Sequence, residues 1–220
     1  RKLIVSAAGA AFPKAEIKDD MKLARGAPDR EQWHSGINFA LKQLAQLKKG
    51  EAEIEVLDLT IAGEAPTSPI YKSVKTTLAT AMPAGVKLAA EKITPPVANP
   101  FVWGAKSAGN QLVMSGFVPT EKLREQLFNE AKGLFPKLAL VDRTDVADGA
   151  PDGWPKAAQA ALAQLALLKS GTADIKNRDM IFTGEAVDEA TAQAVQKALR
   201  LGVPQGLELL RCRLRGLRLR

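Results

Sequence analysis

The chain contains itself twice: the stretch from Phe12 to Leu88 returns, residue class by residue class, from Phe135 to Leu209. Repetition on this scale decides the architecture ahead of any local motif, because each copy must fold as the same supersecondary unit. Phe12-Pro13-Lys14 recurs as Phe135-Pro136-Lys137, Ala27-Pro28-Asp29 as Ala150-Pro151-Asp152, Trp33 as Trp154, Gln43-Leu44-Ala45 as Gln164-Leu165-Ala166, and Gly63-Glu64-Ala65 as Gly184-Glu185-Ala186. The offset is 123 residues before the tryptophan and 121 from it onward, so one loop has lost two residues. What repeats is glycine, proline, tryptophan and aliphatic positions, which are punctuation and core rather than reactive groups.

Local patterning gives the unit its content. Asp29 is an N-cap with Gln32 in capping-box position, and Trp33, Ile37, Ala40, Leu41, Leu44 and Leu47 then recur at three-to-four spacing. That spacing predicts a helix with one apolar face, and Gly50 stands where a left-handed C-terminal cap belongs. The second copy runs from Asp152 through Ala158, Ala161, Leu162, Leu165 and Leu168 to Gly171. The period then drops to two: Ala52, Ile54 and Val56 alternate with Glu51, Glu53 and Glu55, and Leu59 and Ile61 with Asp58 and Thr60. This is a hairpin with one solvated face, matched by Ala173 and Ile175, a turn at Lys176-Asn177-Arg178-Asp179, and Met180-Ile181-Phe182. After Gly63 or Gly184 comes a second helix, carrying Val74 and Leu78 or Val195 and Leu199. Pro83 or Pro204 stops it, and a last strand opens at Val86 or Leu207. The expected fold is therefore α+β, built from tandem small αββαβ units whose mixed sheets carry helices on one face.

The units partition the chain. Residues 24–95 form the first full repeat and 148–210 the second. Between them, 96–147 is a shortened unit in which Phe101-Val102-Trp103 replaces the first helix, Asn110 to Gly116 is the strand-to-glycine element, and Thr120 caps a helix from Glu121 to about Leu134. Residues 1–23 read as the tail end of a further unit, with Lys2 to Ala11 as helix and Ala15 to Leu23 as last strand, so the chain reads as a fragment of something longer. Residues 211–220 are Arg/Leu-rich, depart from the repeat, and are expected to be disordered or non-native.

Composition narrows the function classes. The net charge is +7, but five of the 31 basic residues lie in the last ten, and without them 26 bases face 24 acids. A nearly neutral body with interspersed charges is not a nucleic-acid-binding surface. One His, one Cys and one Tyr do not furnish most metal or triad sites, and no stretch has phosphate-loop spacing. We expect no enzyme activity, no catalytic residues, no cofactor, no metal and no small-molecule substrate. His34 reads as a helix-surface residue, Cys212 lies in the divergent tail, and the Glu51, Glu53, Glu55 comb has strand period and reads as a solvated sheet face. The tryptophans read as core: each indole closes the end of its unit and finds a partner for its N–H. The surface reading is that Trp33 and Trp154 dip into a lipid or partner interface beside Lys22, Arg25 and Arg30. Against it, the second loop is flanked by Asp145, Asp148 and Asp152 instead. If the repeat is real, Trp33 and Trp154 occupy related environments. Open sheet edges would also let units pair edge to edge and self-associate.

A strand carrying a glycine, a short acidic or Ser/Thr link, an amphipathic helix and a closing strand together resemble the BON domain. The longer pattern, with Gly26-Ala27-Pro28, Asn99-Pro100-Phe101-Val102-Trp103 and Ser115-Gly116-Phe117-Val118-Pro119, resembles the repeated periplasmic region of alphaproteobacterial outer-membrane-protein-A family proteins. The resemblance implies a non-enzymatic periplasmic module associated with the outer membrane, whose partners are a phospholipid surface or envelope proteins. The alternative it implies is a structural spacer or assembly unit ahead of a peptidoglycan-binding domain.

Overall fold

The computed structural model describes residues 1–22 and 29–216. It is mixed α+β throughout, in two bodies that meet in sequence at Pro96 and Val97.

In the first body, helix α1 (Lys2–Ala11) precedes α2 (Arg30–Leu44), β1 (Lys49–Glu55), β2 (Asp58–Glu64), α3 (Ser68–Thr80) and β3 (Lys87–Thr94). The N-cap bond of the predicted capping box forms: the Asp29 carboxylate accepts from the Gln32 backbone N–H at 2.9 Å, while the Gln32 carboxamide lies beside Gly85. Likewise the Thr67 hydroxyl accepts from Ile70 N at the start of α3. Strand β1 pairs antiparallel with β2, and β2 pairs parallel with β3 through the α3 crossover. The core is an apolar cluster in which Ala40 of α2 and Val74 and Leu78 of α3 meet Leu59, Ile61, Ala65, Val86 and Ile93.

The second body runs β4 (Val102–Ala108), β5 (Gln111–Val118), α4 (Glu121–Leu134), β6 (Ala139–Val146), α5 (Trp154–Leu165), β7 (Leu168–Lys176), β8 (Asp179–Ala186), α6 (Glu189–Gly202) and β9 (Glu208–Gly216). Its single sheet has the order β6-β5-β4-β7-β8-β9. Each half repeats the plan of the first body, an antiparallel hairpin followed by a parallel crossover strand. The halves join where β4 runs antiparallel to β7. The buried side chains form rows across the ladder: Ala105 faces Met114 and Ala173, and Ala173 faces Phe182. Cross-strand neighbours share a face, so the sheet buries one side and leaves the other to solvent.

Three features differ from the reading by pattern. Gly50 and Gly171 do not cap helices: α2 and α5 end in right-handed residues at Ala45 and Ala166, and both glycines lie within strands. Their role is close approach. Gly50 stands opposite Gly63 and Gly171 opposite Gly184, and a Cβ on Gly184 would sit 2.5 Å from Leu168 Cδ1 and 2.7 Å from the Ser170 carbonyl oxygen. The second correction is Ala15 to Lys22, which is not a strand; among the described residues no strand lies beside it to satisfy its backbone groups, and strands exist only as ladders. Leu23 lies outside the described residues. Third, the Arg/Leu tail, expected to fray, is strand β9 as far as Gly216, because β8 offers it a parallel ladder. Both copies even keep the same bulge, between Leu59 and Thr60 and between Met180 and Ile181. Residues 217–220 lie outside the described residues.

The two hairpin turns expose one local conflict. Asn177 takes φ 52° and its counterpart Val56 takes φ 58°. Asn tolerates this left-handed conformation, and its carboxamide oxygen also accepts from Phe101 N at 2.9 Å. Val56 is β-branched and exposed, so its Cβ crowding is not offset by any burial. Val56→Asn is expected to stabilise the first body by about 1 kcal/mol, read as a higher urea midpoint; an unchanged midpoint would refute the strain.

Candidate functional site

The sequence-nominated surface residues separate sharply. Trp154 is completely buried, which removes it from any surface site. Its ring meets Phe101 at 5.6 Å and Trp103 at 5.8 Å, both edge to face, an arrangement that the ring quadrupoles favour. Contrary to expectation, neither Trp154 nor Trp103 finds a hydrogen-bond partner for its indole N–H; the aromatic cluster leaves no polar group in reach. Trp33 is half-buried, with His34 edge-on at 5.8 Å. Arg30 opens α2 and is exposed, as is Lys22. Arg25 lies outside the described residues.

Trp33 opens a shallow apolar groove of about 190 Å³ between α2 and β1, lined also by Ile37, Ala40, Leu41, Leu44, Ala52 and Ile54. All but Ala40 are only half-buried. Shifted by 121 residues, this lining becomes Trp154, Ala158, Ala161, Leu162, Leu165, Ala173 and Ile175, every one of which is at most 1% exposed. The same helix-and-strand face is thus sealed in one copy and open in the other. The difference is β4: in the second body it lies along β7 with Trp103 opposite Ile175 and Ala105 opposite Ala173. Among the described residues β1 is an edge strand of the first body, with Glu51, Glu53 and Glu55 exposed on its other face. Leaving aliphatic side chains half-wet forfeits part of the roughly 1.5–3 kcal/mol each can contribute when fully buried, and an unpaired edge is a template for another strand. Ile37, Leu41 and Ile54 could not be singled out by type or spacing. Only comparing the cover on the two copies marks them.

Two polar clefts are formed by the described residues. A cleft of about 420 Å³ holds Glu121, Arg124, Glu125 and Asp142. Asp142 there accepts from Arg124 Nε at 2.9 Å, from Thr144 N at 2.9 Å and from the Thr144 hydroxyl at 2.6 Å, so both its oxygens are engaged within the fold. A second, open cleft of about 680 Å³ runs past Arg200 and Cys212. Burial pushes the Cys212 thiol up, against a smaller downward pull from Arg200; a raised thiol is the opposite of an activated nucleophile. Among the described residues no three His, Cys, Asp or Glu side chains lie together as a metal site, and no helix is long and apolar enough to cross a membrane.

No family model matches the chain, and no curated protein sequence matches it. Among solved structures it is similar to the C-terminal domain of CdsD, described as the structural protein of the type III secretion system of Chlamydia trachomatis, at 11% identity and a TM-score of 0.21, over 78% of this chain and 93% of that one.

Proposed function

We propose that the chain is a non-catalytic repeat module of a bacterial cell envelope, acting as a spacer and assembly element whose units join by continuing one sheet into the next. The observation that carries this reading is the β4–β7 junction, where two units merge into one six-stranded sheet with a common buried face. The periplasmic setting, and a place ahead of a wall-binding domain, are what the resemblance of its aromatic motifs to the periplasmic region of outer-membrane-protein-A family proteins implies, beside that of its glycine strands to BON domains. A second reading, attachment to anionic phospholipid, is favoured by one feature: Arg211, Arg213 and Arg215 stand exposed at alternate positions along the edge strand β9. Such a row adds roughly 1 kcal/mol per cation near an anionic surface and weakens with salt.

Co-sedimentation of the full chain with anionic and neutral vesicles, at low and physiological salt, separates the two. The assembly reading expects the chain to stay in the supernatant at physiological salt. Pelleting with anionic vesicles that disappears in the Arg211→Ala, Arg213→Ala, Arg215→Ala variant would overturn it in favour of lipid attachment.

A further inference from the structure

We propose that the Trp33 groove, with the free edge of β1 beside it, is the seat of a β-hairpin of the β4–β5 kind, whose first strand runs antiparallel to β1. The inference rests on the assembly reading and adds the identity and register of what is assembled.

Every residue lining the open groove has a counterpart sealed in the second body, and the seal there is β4. The amino-terminal segment points to the same occupant independently. Helix α1 lies against α2 as α4 lies against α5. Arg1 Nε donates to Asp19 at 2.6 Å and Met21 N donates to Asp19 at 3.0 Å. At the 123-residue offset these are the bonds from Arg124 Nε and Thr144 N to Asp142, both 2.9 Å. Residues 16–22 are therefore held against their helix as β6 is held against α4, yet they form no ladder. In the second body two strands, β5 and β4, stand between β6 and β7. Among the described residues the first body keeps both flanking segments, the non-strand residues 16–22 and strand β1, and neither has a strand paired on that side. A hairpin fits both: its second strand lies parallel to residues 16–22 and continues into α1, as β5 continues into α4.

The register states what the hairpin carries. Transferred to β1, the β4 register sets the position of Trp103 opposite Ile54 and that of Ala105 opposite Ala52. These inward positions take one aromatic and one small residue. The outward positions, those of Val102, Gly104 and Lys106, fall opposite Glu55, Glu53 and Glu51. Opposite charges on directly facing strand residues attract, so the occupant has Lys or Arg there.

The test appends a second copy of residues 99–123 directly ahead of Arg1, whose counterpart is Arg124, and follows amide hydrogen exchange in the full chain. Alternate amides of Lys49–Glu55, those pointing away from β2, are expected to slow by about 100-fold as an edge becomes interior. The same graft with Phe101→Asp and Trp103→Asp in the appended copy is expected to leave them unchanged. Unchanged β1 exchange with the native graft, while β2 and β7 stay protected, overturns the proposal. Should the graft disturb β2, the free Asn99–Thr120 peptide at millimolar concentration decides, and absence of β1 protection overturns it equally. Protection of β1 in the unmodified chain that grows with protein concentration would instead assign the edge to a second copy; that sinks the hairpin while leaving the assembly reading in place.

Discussion

Replacing Trp154 by alanine is expected to destabilise the second body by about 3–5 kcal/mol, whereas Trp33→Ala is expected to cost the first body about 1 kcal/mol. The two tryptophans occupy the same position in the repeat, so a purely sequence-based view assigns them equal weight. The structure does not. Trp154 has no exposed surface and holds Phe101 and Trp103 edge to face; its removal opens a cavity among side chains that belong to β4 and α5 and cannot collapse together without breaking the β4–β7 ladder. Trp33 already has water on one side, so truncation removes only part of its transfer free energy and leaves no sealed void. The corresponding fall in melting temperature for the second body is on the order of 10 °C or more. Thermal unfolding monitored by circular dichroism, with exchange protection of β1–β2 and β7–β8 read separately, measures both. Equal losses for the two variants would mean that the Trp33 groove is closed in solution, and the case for an open face would fail.

The second large effect is expected at Gly116, where alanine should cost about 3 kcal/mol. Gly116 has φ +95° and stands opposite Trp103. A Cβ there would strike the Val102 carbonyl oxygen and come within 2.9 Å of Trp103 Cα. Both obstacles are backbone of β4, which is pinned by ladders on both sides, so neither can give way as a flexible side chain would. The expected cost combines about 1–2 kcal/mol for a left-handed residue with a β carbon and about 1–3 kcal/mol for overpacking. Gly109→Ala is the matched control: it has φ +62° but nothing within 4 Å of the added atom, so only the conformational part applies. Chemical denaturation of the two variants separates the terms. A Gly116→Ala loss no greater than that of Gly109→Ala would show that the close approach of β5 to β4 is not as drawn.

Much of the fold was legible because the repeat supplies its own check. An apolar stripe such as Trp33 to Leu44 has several readings alone, but its recurrence from Trp154 to Leu165 narrows them to one; the cap does not recur, since α5 starts after Gly153, left-handed and without a side-chain cap, rather than at Asp152. The glycines show the limit. Gly50 and Gly171 follow helical stripes, as left-handed caps do, yet they serve the close pairing with Gly63 and Gly184. Spacing along the chain does not distinguish a glycine needed for its own φ from one needed for another strand's backbone. The tail showed the same limit: Arg211 to Arg215 lost the aliphatic pattern of a buried strand, but an edge strand needs only a partner for its backbone and one side against a helix. The candidate site was the least legible part. Trp33 was nominated for its size, and the features that make the face a site, the half-wet Ile37, Leu41 and Ile54 and the unpaired edge of β1, are properties of what does not lie beside them.

By itself the sequence determined the period, the order of helices and strands within each full unit, and the apolar face each of those elements carries, because these depend on local propensity and on alternation at 3.6 or 2 residues, which are carried in both full copies. Only the tertiary structure decided which copies share a sheet. Strand pairing between units joins residues as distant as Val102 and Lys176, and which edge finds a partner depends on how the chain folds back rather than on the composition of the edge. Two nearly identical faces therefore meet different fates: one is closed by β4 around Trp154, and the other, around Trp33, stays open.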